Sequence, residues 1–386
     1  TYETNTGLKD EERSVISQYK TAVVSNRMTY IGGLNVQYAD GSREVKGDAM
    51  IKSPVNKFDI FPLSRLIEAS VNDGDEIIKL EEYADRILQF KKNKMHLINV
   101  SQEIEFLEDT FMHKGVSHPG SVCKTDFGIA WVNAHGVYLY DGQKVNNLME
   151  KNGVQIISEE DWYAFRVTFK VSTAGYSNLM DDSFQIGYYP RKRQLIIYDN
   201  STSSSSGNPR MYLYDMVTQS WVKGSNDSTN RIIDAVKTNF INDWRGDLVY
   251  AHGYGEMLRW SDASIAGTGN LKFRTKDLDF GQPAQRKKLY KVYISYRGDG
   301  SSVNVRYAVD GENHAADMYQ FNSDSTPLAD KSSGENMEQW HIAELSPTTS
   351  SQATNIYSAA VHIDGAAGAK FEINDINVVF RMKNIK

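Results

Sequence analysis

Four oxygen-bearing side chains stand within five residues, at Asn72, Asp73, Asp75 and Glu76. Hard cations such as Ca²⁺ prefer several oxygen ligands, so this run could hold calcium. Its spacing does not match the twelve-residue loop of an EF-hand. We therefore predict an acidic turn here, with no metal.

Two histidines and the single cysteine could form a zinc set, because zinc binds imidazole and thiolate. His113, His118 and Cys123 are separated by gaps of five residues. These gaps match neither a zinc-finger knuckle nor a helical HExxH pair. We predict that the three are separate loop and rim residues. One cysteine also excludes a disulfide within the chain and fits assembly in the cytosol, and nothing supports Cys123 as a nucleophile.

Glu159, Glu160 and Asp161 precede Trp162 and are the best candidates for paired carboxylates. Glycoside hydrolysis requires two acids that face each other across a cleft. Adjacent carboxylates on a strand point to opposite faces, so we predict a solvated turn instead.

The sequence lacks the recurring motifs of several enzyme classes. It contains no Ser-x-Asp-x-Gly-x-x-Trp turn of the sialidase type, and Trp260-Ser261-Asp262 has the wrong order. A Gly-x-Ser-x-Gly elbow, a phosphate loop and a Gly-x-Gly-x-x-Gly fingerprint are also missing. We predict a protein that is not an enzyme, with no catalytic, cofactor-binding or metal-binding residue.

The densest basic runs are Arg191-Lys192-Arg193 and Arg286-Lys287-Lys288, in a chain of formal charge −6. Sequence-specific nucleic-acid binding needs a more concentrated basic footprint. The two runs could touch passing DNA through its phosphates. Because strong attraction would hinder DNA movement, we prefer roles in solubility, strand-edge protection and subunit contacts.

The elements that would position these residues are β-strands, marked by a repeated tetrapeptide. Tyr-Leu-Tyr-Asp occurs at Tyr138–Asp141 and again at Tyr212–Asp215. The first copy predicts a hairpin of Ile129–Val132 and Val137–Tyr140, with Gly136 supplying a positive φ in the turn. The second predicts Gln194–Tyr198 and Met211–Tyr214. Recurring hairpins of this kind are typical of propeller blades.

Length and composition fit such an array. The chain has 386 residues, 40% of them hydrophobic, and 22 tyrosines that suit half-buried strands. No stretch approaches 18 consecutive apolar residues, so we expect a soluble protein without membrane insertion. The chain begins at Thr1 without Met, which suggests a piece of a longer protein whose further residues complete the first blade.

We predict an all-β protein of two domains: a β-propeller of five or six blades in residues 1–262, and a β-sandwich in residues 271–386. A Gly/Ser/Ala linker, Ser261 to Asn270, would separate them. We also predict a helical insertion at Glu103 to Asp109, strands at Phe165 to Val171 and Ile232 to Val236, a polar loop at Ser201 to Ser206, and a final strand pair within Phe371 to Phe380.

Two stretches resemble virion proteins of tailed bacteriophages, which are called tail hub, nozzle, muzzle or stabilisation proteins. The first, Ile77 to Met149, resembles their propeller through three segments: Ile87 to Ile98, the Gly-Val-x-x-Pro-Gly-Ser-Val run at Gly115 to Val122, and the hairpin Ile129 to Tyr140. The second resembles the sandwich that follows this propeller, through Phe273 to Gly281, Arg286 to Tyr293 and Phe371 to Asn377.

The resemblance implies a structural protein of the phage tail, located in the virion and assembled in the host cytoplasm. It implies a cyclic, hexameric ring that contacts other tail and portal-adjacent proteins and forms part of the DNA ejection conduit, through which DNA passes without specific binding. Two alternatives stay open. A carbohydrate-binding adhesin would stack host-surface glycans on aromatic residues such as Trp340 and Tyr357, and a propeller glycosidase would need two facing acids.

Overall fold

The computed structural model describes residues 2–3, 14–38, 40–70, 73–102, 104–167, 184–199, 211–224, 240–252, 256–260, 269–312, 318–333, 339–348, 352–367 and 371–383. Strands make up 58% and helix 4% of the structure, which confirms the all-β prediction. The chain folds as two compact units, Thr1–Trp260 and Ser261–Lys386. The predicted loop at 201–206, the strand at 232–236 and most of the linker lie outside the described residues.

The first sheet of the first unit has six strands, and a short 3₁₀ helix, Leu63–Arg65, precedes its last strand. Its strands are β1 (Tyr2–Glu3), β2 (Ser14–Gln18), β3 (Thr21–Ser25), β4 (Met28–Tyr38), β5 (Arg43–Lys52) and β6 (Leu66–Ile67). The pairing of β4 with β5 shifts register between Gly32 and Leu34, where Gly33 has a φ of +69°. The strand continues through this glycine pair as a bulge because glycine tolerates the positive φ.

Three four-stranded antiparallel sheets follow, and in each of them every strand pairs with the next along the chain. The second sheet contains β7 (Ile77–Tyr83), β8 (Arg86–Lys91), β9 (Lys94–Asn99) and β10 (Phe106–Met112). The third contains β11 (Val122–Thr125), β12 (Gly128–Asn133), β13 (Gly136–Tyr140) and β14 (Val145–Asn147). A 3₁₀ helix, Pro119–Ser121, precedes β11.

A two-stranded hairpin and one helix separate the third sheet from the fourth: β15 (Glu150–Lys151), β16 (Val154–Gln155) and α1 (Glu159–Val167). The fourth sheet contains β17 (Phe184–Tyr189), β18 (Gln194–Asp199), β19 (Met211–Asp215) and β20 (Ser220–Gly224). A three-stranded fifth sheet contains β21 (Ile241–Asn242), β22 (Leu248–His252) and β23 (Glu256–Arg259).

The two Tyr-Leu-Tyr-Asp copies occupy the same place in successive sheets, as the third strands β13 and β19. Both predicted hairpins are confirmed, and Gly136 has a φ of +151°. In the first copy the tyrosines pack in a core with the second sheet and the leucine packs in a core with the fourth. In the second copy the tyrosines pack toward the third sheet and the leucine toward the fifth. Each repeat therefore joins its sheet to both neighbours.

Three local predictions were wrong in the first unit. Glu159, Glu160 and Asp161 begin α1 rather than forming a solvated turn. Of the strand predicted at Phe165 to Val171, residues 165–167 are the end of the same helix, and residues 168–171 lie outside the described residues. Ser158 caps the helix, because its hydroxyl accepts from the Asp161 N–H at 3.0 Å. The Ser158 hydroxyl also donates to the Asp161 carboxylate, so the pair resembles a capping box. Negative charges are stabilised by the dipole at a helix N-terminus, which explains why three acidic residues stand together at 159–161.

The third wrong prediction concerns Glu103 to Asp109, for which we expected a helix. The described part of this segment leads into the strand β10, which pairs with β9. Its glutamates form specific contacts instead of a helical face: Glu105 accepts from Lys52, and Glu108 pairs with Arg86. Pairing with a neighbouring strand has overridden local helix propensity.

The second unit contains two antiparallel sheets. One contains β24 (Gly269–Arg274), β26 (Val303–Val309), β27 (Tyr319–Gln320) and β31 (Ala359–Ala367). The other contains β25 (Lys287–Asp299), β28 (Asp330–Lys331), β29 (His341–Leu345), β30 (Thr354–Ile356) and β32 (Glu372–Met382). Both sheets contribute to one core, which includes Val292, Ile294, Val305, Tyr307 and Ile363. The predicted final strand pair is wrong: β32 is a single strand along β25.

Candidate functional site

The acidic turn after the first sheet has a structural role. Asp73 accepts from the ammonium groups of Lys91 and Lys94 at 2.8 and 2.6 Å. Burial opposes the charge of Asp73, but these hydrogen bonds hold its pKa well below the usual range. Asp75 accepts from the backbone N–H groups of Lys92 and Asn93. The turn therefore clamps the β8–β9 hairpin. Asn72 lies outside the described residues.

The histidines and the cysteine also have local roles. His118 accepts from the N–H of Gly120 at 3.0 Å and caps the 3₁₀ helix that leads into β11. The His113 ring lies 5.4 Å from that of His135. Burial raises the pKa of the Cys123 thiol, which disfavours the thiolate. Among the residues that the structure describes, no group of three metal-ligating side chains forms.

One member of the basic runs is buried. The Lys287 side chain is 0% exposed and its ammonium donates to the carbonyls of Gln282, Gln285 and Tyr357 at 2.6, 2.8 and 2.9 Å. It cannot reach a nucleic acid or a neighbouring subunit. This corrects our surface role for Lys287, while Arg191 forms an ion pair with Asp247 at 3.0 Å.

Each aromatic residue that we considered for glycan stacking has a guanidinium over its ring. Arg297 lies 4.8 Å from the ring centre of Trp340, and Arg286 lies 5.1 Å from that of Tyr357. Such cation–π contacts occupy one face of each ring. Both aromatic side chains are otherwise partly exposed, which leaves only the second face for a ligand.

An apolar strand edge stands out on the surface of the first unit. The strand β10 is the outer strand of the second sheet, and the exposed apolar residues of β10 and the segment before it are Ile104 (79% exposed), Phe106, Leu107 and Met112. We call these four residues the β10 edge. Glu105 anchors the segment to the first sheet, because its carboxylate accepts from Lys52 at 2.7 Å and from the Tyr30 hydroxyl at 3.0 Å. The apolar side chains are thus held in place on the surface.

A second exposed feature is a turn before β22. Trp244 is 87% exposed, and the Arg245 guanidinium lies 4.6 Å from its ring centre. Asp243 fixes the turn by accepting from the N–H groups of Arg245 and Asp247, both at 2.8 Å. Trp and Arg are enriched among residues that dominate the energy of protein interfaces. The turn therefore has the composition of a contact site.

A cleft of about 710 Å³ lies where the ends of the third and fourth sheets meet. Both tetrapeptide copies contribute to it, the first through Leu139 and Asp141 and the second through Tyr214. We call it the repeat cleft. Its other lining residues come from the turns and the hairpin around it: Phe127, Lys144, Asn146, Asn147, Leu148, Glu150, Lys151, Asn152, Gly153, Ile156, Met216 and Gln219.

Sequence reasoning did not find these three surfaces. The β10 edge had a signal, since Ile104, Phe106, Leu107 and Phe111 supply strand-forming residues among the glutamates. The sequence Asp-Trp-Arg-Gly-Asp at 243–247 also marks a turn that exposes a tryptophan. The repeat cleft depends on the packing of one sheet against the next, which has no local signal.

No protein-family model matches the chain, and no curated protein matches it. Among solved structures it is similar to an exo-β-1,3-galactanase from Phanerochaete chrysosporium, at 8% identity over 95% of this chain and 82% of that one, with a TM-score of 0.24. It is similar to the WD40 domain of SCAP from fission yeast, at 10% identity over 93% and 99% of the two chains, with a TM-score of 0.28. For the β-fructofuranosidase BmSUC1 of Bombyx mori the identity is 9%, the coverage 94% and 78%, and the TM-score 0.22. These similarities are too low to assign an arrangement or an activity.

No helix within the described ranges has both the length and the apolar character needed to cross a membrane.

Proposed function

We propose that this chain is a structural subunit of a bacteriophage tail. In this proposal the first unit is a β-propeller, the second is a β-sandwich, and copies of the chain form a cyclic, hexameric ring in the virion. The ring contacts other tail and portal-adjacent proteins and encloses part of the DNA ejection conduit.

Core packing in the first unit supports the propeller. The apolar cores lie between successive sheets in chain order, from the first and second to the fourth and fifth. A series of antiparallel sheets that each pack on the preceding and the following one is typical of propeller blades. Five such sheets correspond to five blades. In the second unit, one core shared by two sheets supports a sandwich.

The proposed assembly into a ring rests on the β10 edge. Exposed strand edges with apolar side chains invite pairing with another chain, and monomeric proteins usually cover or charge them. Here Ile104, Phe106, Leu107 and Met112 stay exposed. The carboxylates of Glu105 and Glu108 fix the segment, because Glu105 accepts from Tyr30 and Lys52 and Glu108 pairs with Arg86. A rigid apolar edge that meets a different patch on the next copy forms a heterologous contact, which closes into a ring when the rotation permits.

The charge balance supports a conduit rather than a DNA-binding protein. The net charge is −6, and Lys287 is withdrawn from the surface. A channel that does not attract phosphate strongly allows DNA to pass.

The experiment that tests the role of the β10 edge is light scattering behind a sizing column. We expect the purified chain to elute as an oligomer, and Leu107→Asp to shift it toward the monomer because a charge would be buried at the contact. Val217→Asp, at another exposed apolar position, is the matched control and should leave the mass unchanged. Equal masses for wild type and Leu107→Asp would show that the β10 edge does not take part in the assembly.

A further inference from the structure

The repeat cleft has a preformed frame. The Asp141 carboxylate accepts from the N–H groups of Gln143 and Lys144, both at 2.9 Å, and Asp215 accepts in the same way from Val217 and Thr218. Burial opposes the charge on Asp141, but these hydrogen bonds and one from Asn146 lower its pKa. The aspartates that end the two repeats therefore fix the two turns that border the cleft.

Two hydrogen bonds join the third sheet and the segment after it to the fourth sheet. The indole N–H of Trp221 donates to the carbonyl of Leu148 at 2.9 Å, and the Tyr188 hydroxyl donates to Asp126 at 2.8 Å. Asp126 directly precedes Phe127 at the cleft wall. The opening thus lies between tied elements. Its volume falls in the range of about 300–1,000 Å³ that is usual for small-molecule sites.

The lining combines apolar surface with neutral polar groups. Phe127 and Ile156 are 37% and 42% exposed at the wall, beside Met216. Four amide residues line the cleft, Asn146, Asn147, Asn152 and Gln219, and the amides of Asn146 and Asn147 already donate to Asp141 and Glu150. Within the described residues, the side chains of Lys144, Asn152 and Gln219 form no hydrogen bond with the protein, so they can bind a ligand.

The formal charges of the lining cancel, since it contains two lysines, Lys144 and Lys151, and two acids, Asp141 and Glu150. An anionic ligand would need an excess of cationic groups, and a purely apolar ligand would leave the amides of Asn152 and Gln219 unpaired. A ligand with many hydroxyl groups and apolar C–H faces satisfies both parts of the lining. We propose that the repeat cleft binds a neutral oligosaccharide, with Phe127 packing on a sugar face and with Lys144, Asn152 and Gln219 bonding to hydroxyl groups.

This inference does not depend on ring assembly, and a monomeric chain would carry the same cleft. The cleft belongs to the first unit, whereas Trp340 and Tyr357 belong to the second. A peptide would also present polar groups, but the balanced, amide-rich lining favours hydroxyl groups over a charged backbone terminus.

The test measures binding of neutral trisaccharides of glucose, galactose, mannose and N-acetylglucosamine to the full chain, by saturation-transfer NMR and then by calorimetry. Sialyllactose is the anionic comparison. We expect saturable binding of at least one neutral probe and weaker binding of sialyllactose. No saturation by any neutral probe, or tighter binding of sialyllactose, would overturn the proposal.

Two variants locate the binding site. Phe127→Ala and Lys144→Ala should each weaken binding about tenfold, since each removes one contact with the sugar. Phe58→Ala and Lys57→Ala replace the same residue types at exposed positions away from the cleft and should bind like the wild type. Circular dichroism checks that all four variants are folded. The proposal would be overturned if both cleft variants bound the sugar like the wild type. It would also be overturned if the two control variants weakened binding as much as the cleft variants, because the site would then lie elsewhere.

Discussion

Two adjacent lysines in β25 have different environments, so a shift of one position along the strand decides whether a lysine is buried or partly exposed. Lys287 is fully buried against three carbonyl oxygens, whereas the Lys288 ammonium lies 4.9 Å from the ring centre of Tyr290. A buried charge is tolerated only when hydrogen bonds replace its water. From the sequence both residues belong to one basic run, and only the inward direction of alternate β25 residues separates them.

We expect Lys287→Met to lower the free energy of unfolding by about 2–4 kcal/mol, because three buried carbonyls lose their donor. Lys288→Met is the neighbouring control and should cost less than about 1 kcal/mol, since it loses one partly exposed cation–π contact. Urea denaturation of both variants measures the difference. Similar costs for the two variants would show that the three hydrogen bonds do not stabilise the unit.

The shifted pKa of His96 predicts that the stability of the folded chain depends on pH. Burial, followed by the charges of Lys91 and Lys94, lowers the pKa of His96 to about 4, while Asp73 and Asp75 oppose the shift. The unfolded chain, with the ordinary pKa of 6.5, then binds more protons than the folded chain between these two values. The contribution of His96 to stability is therefore complete above pH 6.5 and is lost as the pH falls toward 4.

Comparison with His96→Gln isolates this contribution from that of the carboxylates. We expect the wild type to lose more stability than the variant between pH 6.5 and 4.5, measured by thermal melting. Parallel pH profiles would mean that His96 titrates normally in the folded chain.

At the scale of elements, the strands that pair locally were the most predictable. The first Tyr-Leu-Tyr-Asp hairpin was found because strand, turn and strand are adjacent in the sequence, and the second because its arm Met211–Tyr214 carries the same tetrapeptide. The helix α1 was missed although Ser158 and Asp161 have the spacing of a capping box. The strand β10 was missed because its glutamates favour a helix and only its pairing with β9 makes it a strand.

The cap of α1 gives a prediction for this element. Ser158→Ala removes the acceptor of the Asp161 N–H and should cost about 1 kcal/mol of stability. Ser64→Ala, at an exposed serine of the 3₁₀ helix Leu63–Arg65, is the control and should cost less than about 0.5 kcal/mol. Chemical denaturation measures both. If Ser158→Ala left the free energy of unfolding unchanged, the Ser158 cap would not be needed for the packing of Trp162 and Phe165 against the fourth sheet.

At the scale of the whole molecule, composition and strand pattern predicted an all-β chain, and the structure confirms it. The repeat cleft and the β10 edge could not be predicted, because each depends on which residues the packed sheets leave exposed. Propeller, sandwich and ring remain proposals that rest on the order of the cores and on the β10 edge.

The most direct test of the central claim is electron microscopy of the purified, assembled chain, with two-dimensional class averages of the oligomer peak. Our account predicts a closed ring of six copies, with a central opening wide enough for duplex DNA. A chain that stays monomeric at every concentration, or an assembly without cyclic symmetry or a central opening, would contradict it.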